Sequence, residues 1–199
     1  ARCCMVTPNP AIAPTNTEPE PEDDYDYDAS PLPPDRYDEV PEGMEEVDGV
    51  LIEKTGVTLN HAAVQGKVLF AWLTHCLTNQ LGGEVYPEAP CRTDRQKRRP
   101  DVAYMTPELL AQYGRPAILP QSFPLVAEVA SPDDKAELLF HKAREYLRSG
   151  NQEVWLLFPE NQLVMIATQS SWQIFTDSAT VSTQIVLPGF SIAIAELFA

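Results

Sequence analysis

The chain has 199 residues and a formal net charge of −15. That length suffices for one domain with its own core. No apolar run is long enough to span a bilayer and no signal-peptide pattern is present, so a soluble, cytoplasmic protein is expected. The charge is uneven: Glu18 to Asp48 hold about fourteen acidic residues against one basic residue, Arg36. Beyond residue 48 the balance is about fifteen acids to twelve bases. The acidity therefore belongs to a tail and does not exclude a nucleic-acid partner for the remainder. Cys3, Cys4, Cys76 and Cys91 make no CxxC pair, and no His cluster completes a zinc set.

Residues 1–40 are rich in Pro, Asp, Glu, Thr and Tyr and show no period, which predicts a disordered or extended tail ahead of one domain over 41–199. Met44 to Lys54 alternates about Asp48-Gly49, the signature of a hairpin turn. A helix follows, with Asn60 as its expected cap and an end near Asn79. His61, Val64, Val68, Trp72 and Cys76 share one stripe of it. His61 is either a hydrogen-bonded residue at the core edge or the wall of an active site. Gly82-Gly83 stops the helix and Glu84-Val85-Tyr86 starts a strand.

Arg92, Arg95, Lys97, Arg98 and Arg99 form the basic cluster of the chain. It reads as a solvated surface or as a contact for DNA phosphates. Val102 to Met105 and Phe123 to Ala130 are short apolar runs bounded by proline or turn residues, hence buried strands. Between them lies a short helix over 107–113. Pro132 to Gly150 reads as a helix capped by Ser131 and the acids behind it. Gln152 to Phe158 is a further buried strand, so the helix is a crossover between two parallel strands. Residues 162–167, 171–176 and 183–187 predict an antiparallel meander, and 195–198 a last helical turn.

Three residues in this pattern carry chemistry. Asp101 opens one buried strand and Glu128 sits inside another. Desolvating a carboxylate there costs several kcal/mol unless a cation or hydrogen bonds meet it. Two on neighbouring strands also repel, which a divalent cation relieves. Lys142 projects between Leu138 and Tyr146, inside the apolar arc of its helix, so it snorkels outward or points at a negative group. Asp, Glu and Lys meeting at a strand edge suit a metal-dependent phosphodiesterase. The alternative is a salt bridge of Lys142 with Glu128 or Asp101 in a non-catalytic DNA-binding or interaction module.

The order hairpin, helix, three strands, helix, strand, further strands resembles the core of the PD-(D/E)xK nuclease superfamily. Within it the chain is similar to the Uma-two family of restriction-endonuclease-like proteins. The likeness rests on Glu45-Glu46-Val47-Asp48-Gly49, His61 at its helix start, Arg99-Pro100-Asp101-Val102-Ala103, Glu128-Val129-Ala130-Ser131-Pro132, Lys142 with Tyr146 and Gly150, Glu153-Val154-Trp155-Leu156, and Leu187-Pro188-Gly189-Phe190. It covers about residues 40–199. It implies an α+β fold with an α/β core: a central mixed sheet flanked by helices, with an N-terminal hairpin and C-terminal antiparallel strands. It implies Mg²⁺, replaceable by Mn²⁺, on Asp101 and Glu128, with Lys142 as the third catalytic residue and Glu45 and His61 in second rank. DNA is the implied partner, and a homodimer is a candidate assembly. Ala130 stands where Glu-x-Lys would place lysine, and Lys142 is the family's displaced substitute.

Overall fold

The structure, a computed structural model, describes residues 39–54, 58–176 and 178–199. Most of the predicted acidic tail lies outside them. β1 (Met44–Val47) and β2 (Val50–Glu53) form the expected hairpin. Asp48 and Gly49 both take positive φ, 51° and 77°, the backbone that a two-residue hairpin turn requires. α1 (Leu59–Thr78) is capped by Thr58 rather than Asn60. The Thr58 hydroxyl accepts from the His61 N–H at 3.1 Å, and Asn60 is already inside the first turn.

β3 (Glu84–Pro87), β6 (Val102–Met105), β7 (Leu125–Val129), β8 (Glu153–Phe158), β9 (Leu163–Thr168) and β10 (Trp172–Thr176) form one sheet, ordered β10-β9-β8-β7-β6-β3. The short strands β4 (Cys91–Arg92) and β5 (Lys97–Arg98) join the hairpin in a second sheet. β7 and β8 are the parallel pair, linked through α3 (Ala136–Arg148) as a crossover requires. The other pairs of the large sheet are antiparallel. α2 (Pro107–Tyr113) bridges β6 to the loop before β7.

Period-two alternation splits the core between the sheet's two faces. Val102, Tyr104, Leu125, Ala127, Trp155 and Leu157 pack on the α1 stripe of Val64, Val68, Trp72 and Cys76. Ala103, Met105, Val126, Val154, Leu156 and Ala167 pack on Leu139, Ala143, Tyr146 and Leu147 of α3. Trp72 meets Trp155 edge-on, their centroids 5.7 Å apart. Gly83 is required where helix gives way to β3: a Cβ there would strike the Met105 carbonyl and the Tyr104 ring.

Three further sequence expectations are corrected. α3 starts at Ala136, not Pro132, because the Ser131 N–H donates to the Asp134 carboxylate at 2.7 Å and the Asp134 N–H returns to the Ser131 carbonyl. That closed turn competes with helix. On α3, Leu138 is exposed although helical spacing puts it in the apolar arc, and Glu145, which the same spacing puts on the opposite, polar face, is buried. Arg98 and Thr93 supply the partners that make a buried Glu145 tolerable. Finally, 183–187 is not a strand. β11 (Thr180–Ser182) pairs with β12 (Ser191–Ala193), followed by α4 (Ile194–Phe198).

The 184–186 backbone is instead gathered by Glu153, which is fully buried at the start of β8. One carboxylate oxygen accepts from the N–H groups of Gln184, Ile185 and Val186 at 2.8, 2.8 and 3.5 Å. The other accepts from the Trp155 indole at 2.7 Å. Glu153→Ala would orphan these donors, each at about 1–3 kcal/mol. A loss of about 3 kcal/mol or more is expected in urea unfolding, with Glu153→Gln milder because it keeps an acceptor.

Candidate active site

β6 and β7 run antiparallel with Val102 opposite Ala127. One step further along that register, Asp101 comes opposite Glu128 at the end of this central strand pair. Asp101 therefore stands just ahead of its strand rather than inside it. Both side chains are buried, at 2% and 3% exposure. They line a cleft of about 470 Å³ with Glu45, Lys54, His61, Arg98, Ser131 and Lys142. The hairpin, the start of α1 and the middle of α3 form its other walls.

Two chains of alternating charge cross this cleft. In the first, Lys54 Nζ bridges Asp101 Oδ1 and Glu88 Oε2, both at 2.7 Å. The other Asp101 oxygen accepts from the Val129 N–H at 2.6 Å. His61 Nε2 stands 3.6 Å from that same oxygen, an ion-pair distance rather than a hydrogen bond, and has no hydrogen-bond partner. The other ring nitrogen of His61 meets Ser131 Oγ at 3.2 Å. In the second chain, Lys142 Nζ lies 3.0 Å from Glu128 and 2.8 Å from Glu45. Arg98 then joins Glu45 to Glu145, at 3.1 and 2.7 Å. Tyr146 donates its hydroxyl to Glu128 at 2.7 Å.

These contacts set the protonation states. Burial would raise the Asp101 carboxyl, but His61, Lys54 and Lys142 hold it far below the usual carboxylate range. Burial dominates at Glu128 and pushes it up to about 7; Lys142 opposes this and Asp101 adds to it. Burial would lower Lys142, yet Glu128, Glu45 and Asp101 raise it well above an ordinary lysine, so it is an ammonium. His61 is raised because Asp101 outweighs its burial.

The structure thus brings Asp101, Glu128, Lys142, Glu45 and His61 into one cleft. It treats the basic cluster differently. Lys97 faces Glu46 at 3.0 Å, and Arg98 belongs to the second charge chain. The Arg99 guanidinium donates to the carbonyls of Glu88, Val40 and Pro41 at 2.7, 3.1 and 3.2 Å. These three are committed to internal partners, and Arg95 is exposed. Sequence reasoning missed Lys54 and Glu88. Lys54 follows a hairpin strand and Glu88 precedes Ala-Pro, and neither position carries a period that marks it as inward.

A mixed sheet whose paired central strands bring Asp and Glu to one edge, facing a helix lysine, has the nuclease-like fold of the restriction-endonuclease class. The family model described as "Putative restriction endonuclease", Uma2, matches residues 27–195, and the chain belongs to that family. The fold is also similar to the crystal structure of a "putative nuclease belonging to DUF820" from Anabaena variabilis. That match has a TM-score of 0.71 and 19% sequence identity over 78% of this chain and 89% of the other. No curated protein matches the chain.

Glu45 supplies a test of the second charge chain. Burial would raise its carboxyl, but Lys142 and Arg98 overcome this and hold it at about 2, below the ordinary 4.5. A depressed carboxyl stabilises the fold above its unfolded pKa and loses that contribution as pH falls through the folded value. Glu45→Gln should therefore cost on the order of 3 kcal/mol at pH 7. The gap to wild type should narrow between about pH 4.5 and pH 2. Denaturant melts across that range would check it.

Proposed function

We propose that the protein is a Mg²⁺-dependent endonuclease that hydrolyses DNA phosphodiester bonds in the Asp101–Glu128 cleft. The observation that carries this is two buried carboxylates opposed at the end of the central strand pair, each with a lysine ammonium beside it. Each charge chain holds one carboxylate more than it holds permanent cations, so the cleft favours added positive charge. Among the described residues no three His, Cys, Asp or Glu side chains form a ready cage. Mg²⁺ does not need one, since it binds through one or two carboxylates and keeps several waters. The hard oxygen donors of Asp101 and Glu128, with a carbonyl near Val129, fit it.

When bound, the ion supplies Lewis-acid polarisation of the phosphate and acidifies a coordinated water. The protein's own residues supply the frame. Tyr146 fixes the Glu128 carboxylate through one oxygen, and the Val129 N–H fixes Asp101. Lys142, charged and held between Glu128 and Glu45, offers an ammonium to negative charge developing on the phosphate. Arg95, the exposed member of the basic cluster, is the candidate for a contact to a DNA phosphate. A second reading has one observation in its favour. Lys54 on Asp101 and Lys142 on Glu128 also form complete ion pairs, as in a non-catalytic DNA-binding module.

Incubation of the protein with supercoiled plasmid and with single-stranded DNA, in Mg²⁺ or Mn²⁺, separates the two. Cleavage is expected, and it should stop with a chelator and with Asp101→Ala. Lys142→Met keeps the side-chain stem, so it should stay folded while losing about 100-fold or more in rate. Adding Ala130→Lys to Lys142→Ala should restore part of the activity, because Ala130, one residue past β7 and still hydrogen-bonded to the Leu157 carbonyl, falls by alternation on the face of Glu128. DNA binding without cleavage, unaffected by chelation, would favour the module.

A further inference from the structure

Lys54, which immediately follows β2, stands where two clefts meet. The cleft of about 470 Å³ contains Asp101, Glu128 and Lys142. A second, of about 960 Å³, is lined by Glu88, Gln65 and Arg99, and Lys54 lines both. The Lys54 ammonium has three oxygens around it: Asp101 Oδ1 at 2.7 Å, Glu88 Oε2 at 2.7 Å and the Arg99 carbonyl at 2.8 Å. Gln65 braces this set, donating from Nε2 to the other Glu88 oxygen at 3.0 Å and to the Asp101 carbonyl at 2.9 Å.

Two carboxylates and a carbonyl around one cation are the hard-oxygen donors that Mg²⁺ or Mn²⁺ takes. Acidic residues alone would not argue a site, but two further observations do. A cation, the lysine's own, already occupies the set. On the far side, His61 Nε2 is a buried polar atom without a hydrogen-bond partner, 3.6 Å from the remaining Asp101 oxygen.

We propose that Asp101, Glu88 and the Arg99 carbonyl form a second cation cage, and that Lys54 fills it and keeps a second divalent ion out. Phosphodiesterases that use two ions set them about 3.5–4 Å apart, clamping the attacking and leaving oxygens. Here one of the two positive charges is tethered to the chain. It neutralises Asp101 permanently and leaves a single divalent ion to be taken from solution. The role assigned to the cage rests on the nuclease reading, whereas its capacity for a cation does not.

Calorimetric titration with Mn²⁺ of the full chain, Lys54→Met and Lys54→Met/Glu88→Ala tests this. Lys54→Met should bind one Mn²⁺ per chain more than wild type, and the double variant should lose the extra ion. An unchanged count in Lys54→Met overturns the proposal. If wild type binds no Mn²⁺, the nuclease reading fails, yet one ion against none in Lys54→Met still decides for the cage. Thermal melts cover the case in which Lys54→Met is loosely folded without metal. Its Tm should rise more with Mn²⁺ than that of wild type, and that excess should vanish in the double variant. An equal rise in Lys54→Met and wild type contradicts the cage.

Discussion

Two carboxylates placed opposite each other out of water are what the rest of this structure answers. Asp101 and Glu128 meet because β6 and β7 pair in one register, with Val102 opposite Ala127. A slip of one residue would turn every side chain on the strand to the other face. The same pairing that buries Val102, Tyr104, Leu125 and Ala127 against α1 therefore fixes the acids at the end of the central strands. Fold stability and site geometry are set by one ladder.

The surrounding elements then read as counter-charge and support. α3 contributes Lys142 and Tyr146 to Glu128 and, one turn apart, buries Leu139 and Ala143. The hairpin brings Glu45 to Lys142 and ends at Lys54 on Asp101. Arg99 ties the chain from Val40 onward by donating to the carbonyls of Val40, Pro41 and Glu88. Its backbone N–H also donates to Glu45 at 2.9 Å. The hairpin lies outside the large sheet, and Arg98 and Arg99, with Lys97, Lys142 and the pairing of β1 to β5, hold it over the cleft. Removing either partner of a buried pair leaves an uncompensated charge, on the order of 3–5 kcal/mol.

Much of this was legible in the sequence because it followed simple periods. The α1 stripe, the crossover between β7 and β8, and the inward Lys142 all come from spacing at 3.6 or 2 residues. Asp48-Gly49 announced its turn through the one backbone conformation that suits it. The misreadings share a cause: a side chain took up backbone or charge that local pattern assigned elsewhere. Asp134 folded the 131–134 segment into a turn, Glu153 drew the 184–186 backbone out of a strand, and Arg98 carried Glu145 into the interior. Lys54 and Glu88 were invisible for the same reason, since only the folded chain brings them to Asp101. No helix among the described residues is long and apolar enough to cross a membrane.

The central claim is that the opposed pair holds a divalent ion. A crystal of the protein soaked in Mn²⁺, with anomalous data collected near the manganese edge, tests it most directly. The account predicts a peak within bonding distance of both Asp101 and Glu128, about 2.0–2.6 Å from each coordinating oxygen for a hard cation. Lys142 should remain beside Glu128 rather than being expelled. An anomalous map with no peak between the two carboxylates at saturating Mn²⁺, and both lysines still seated on them, would contradict it.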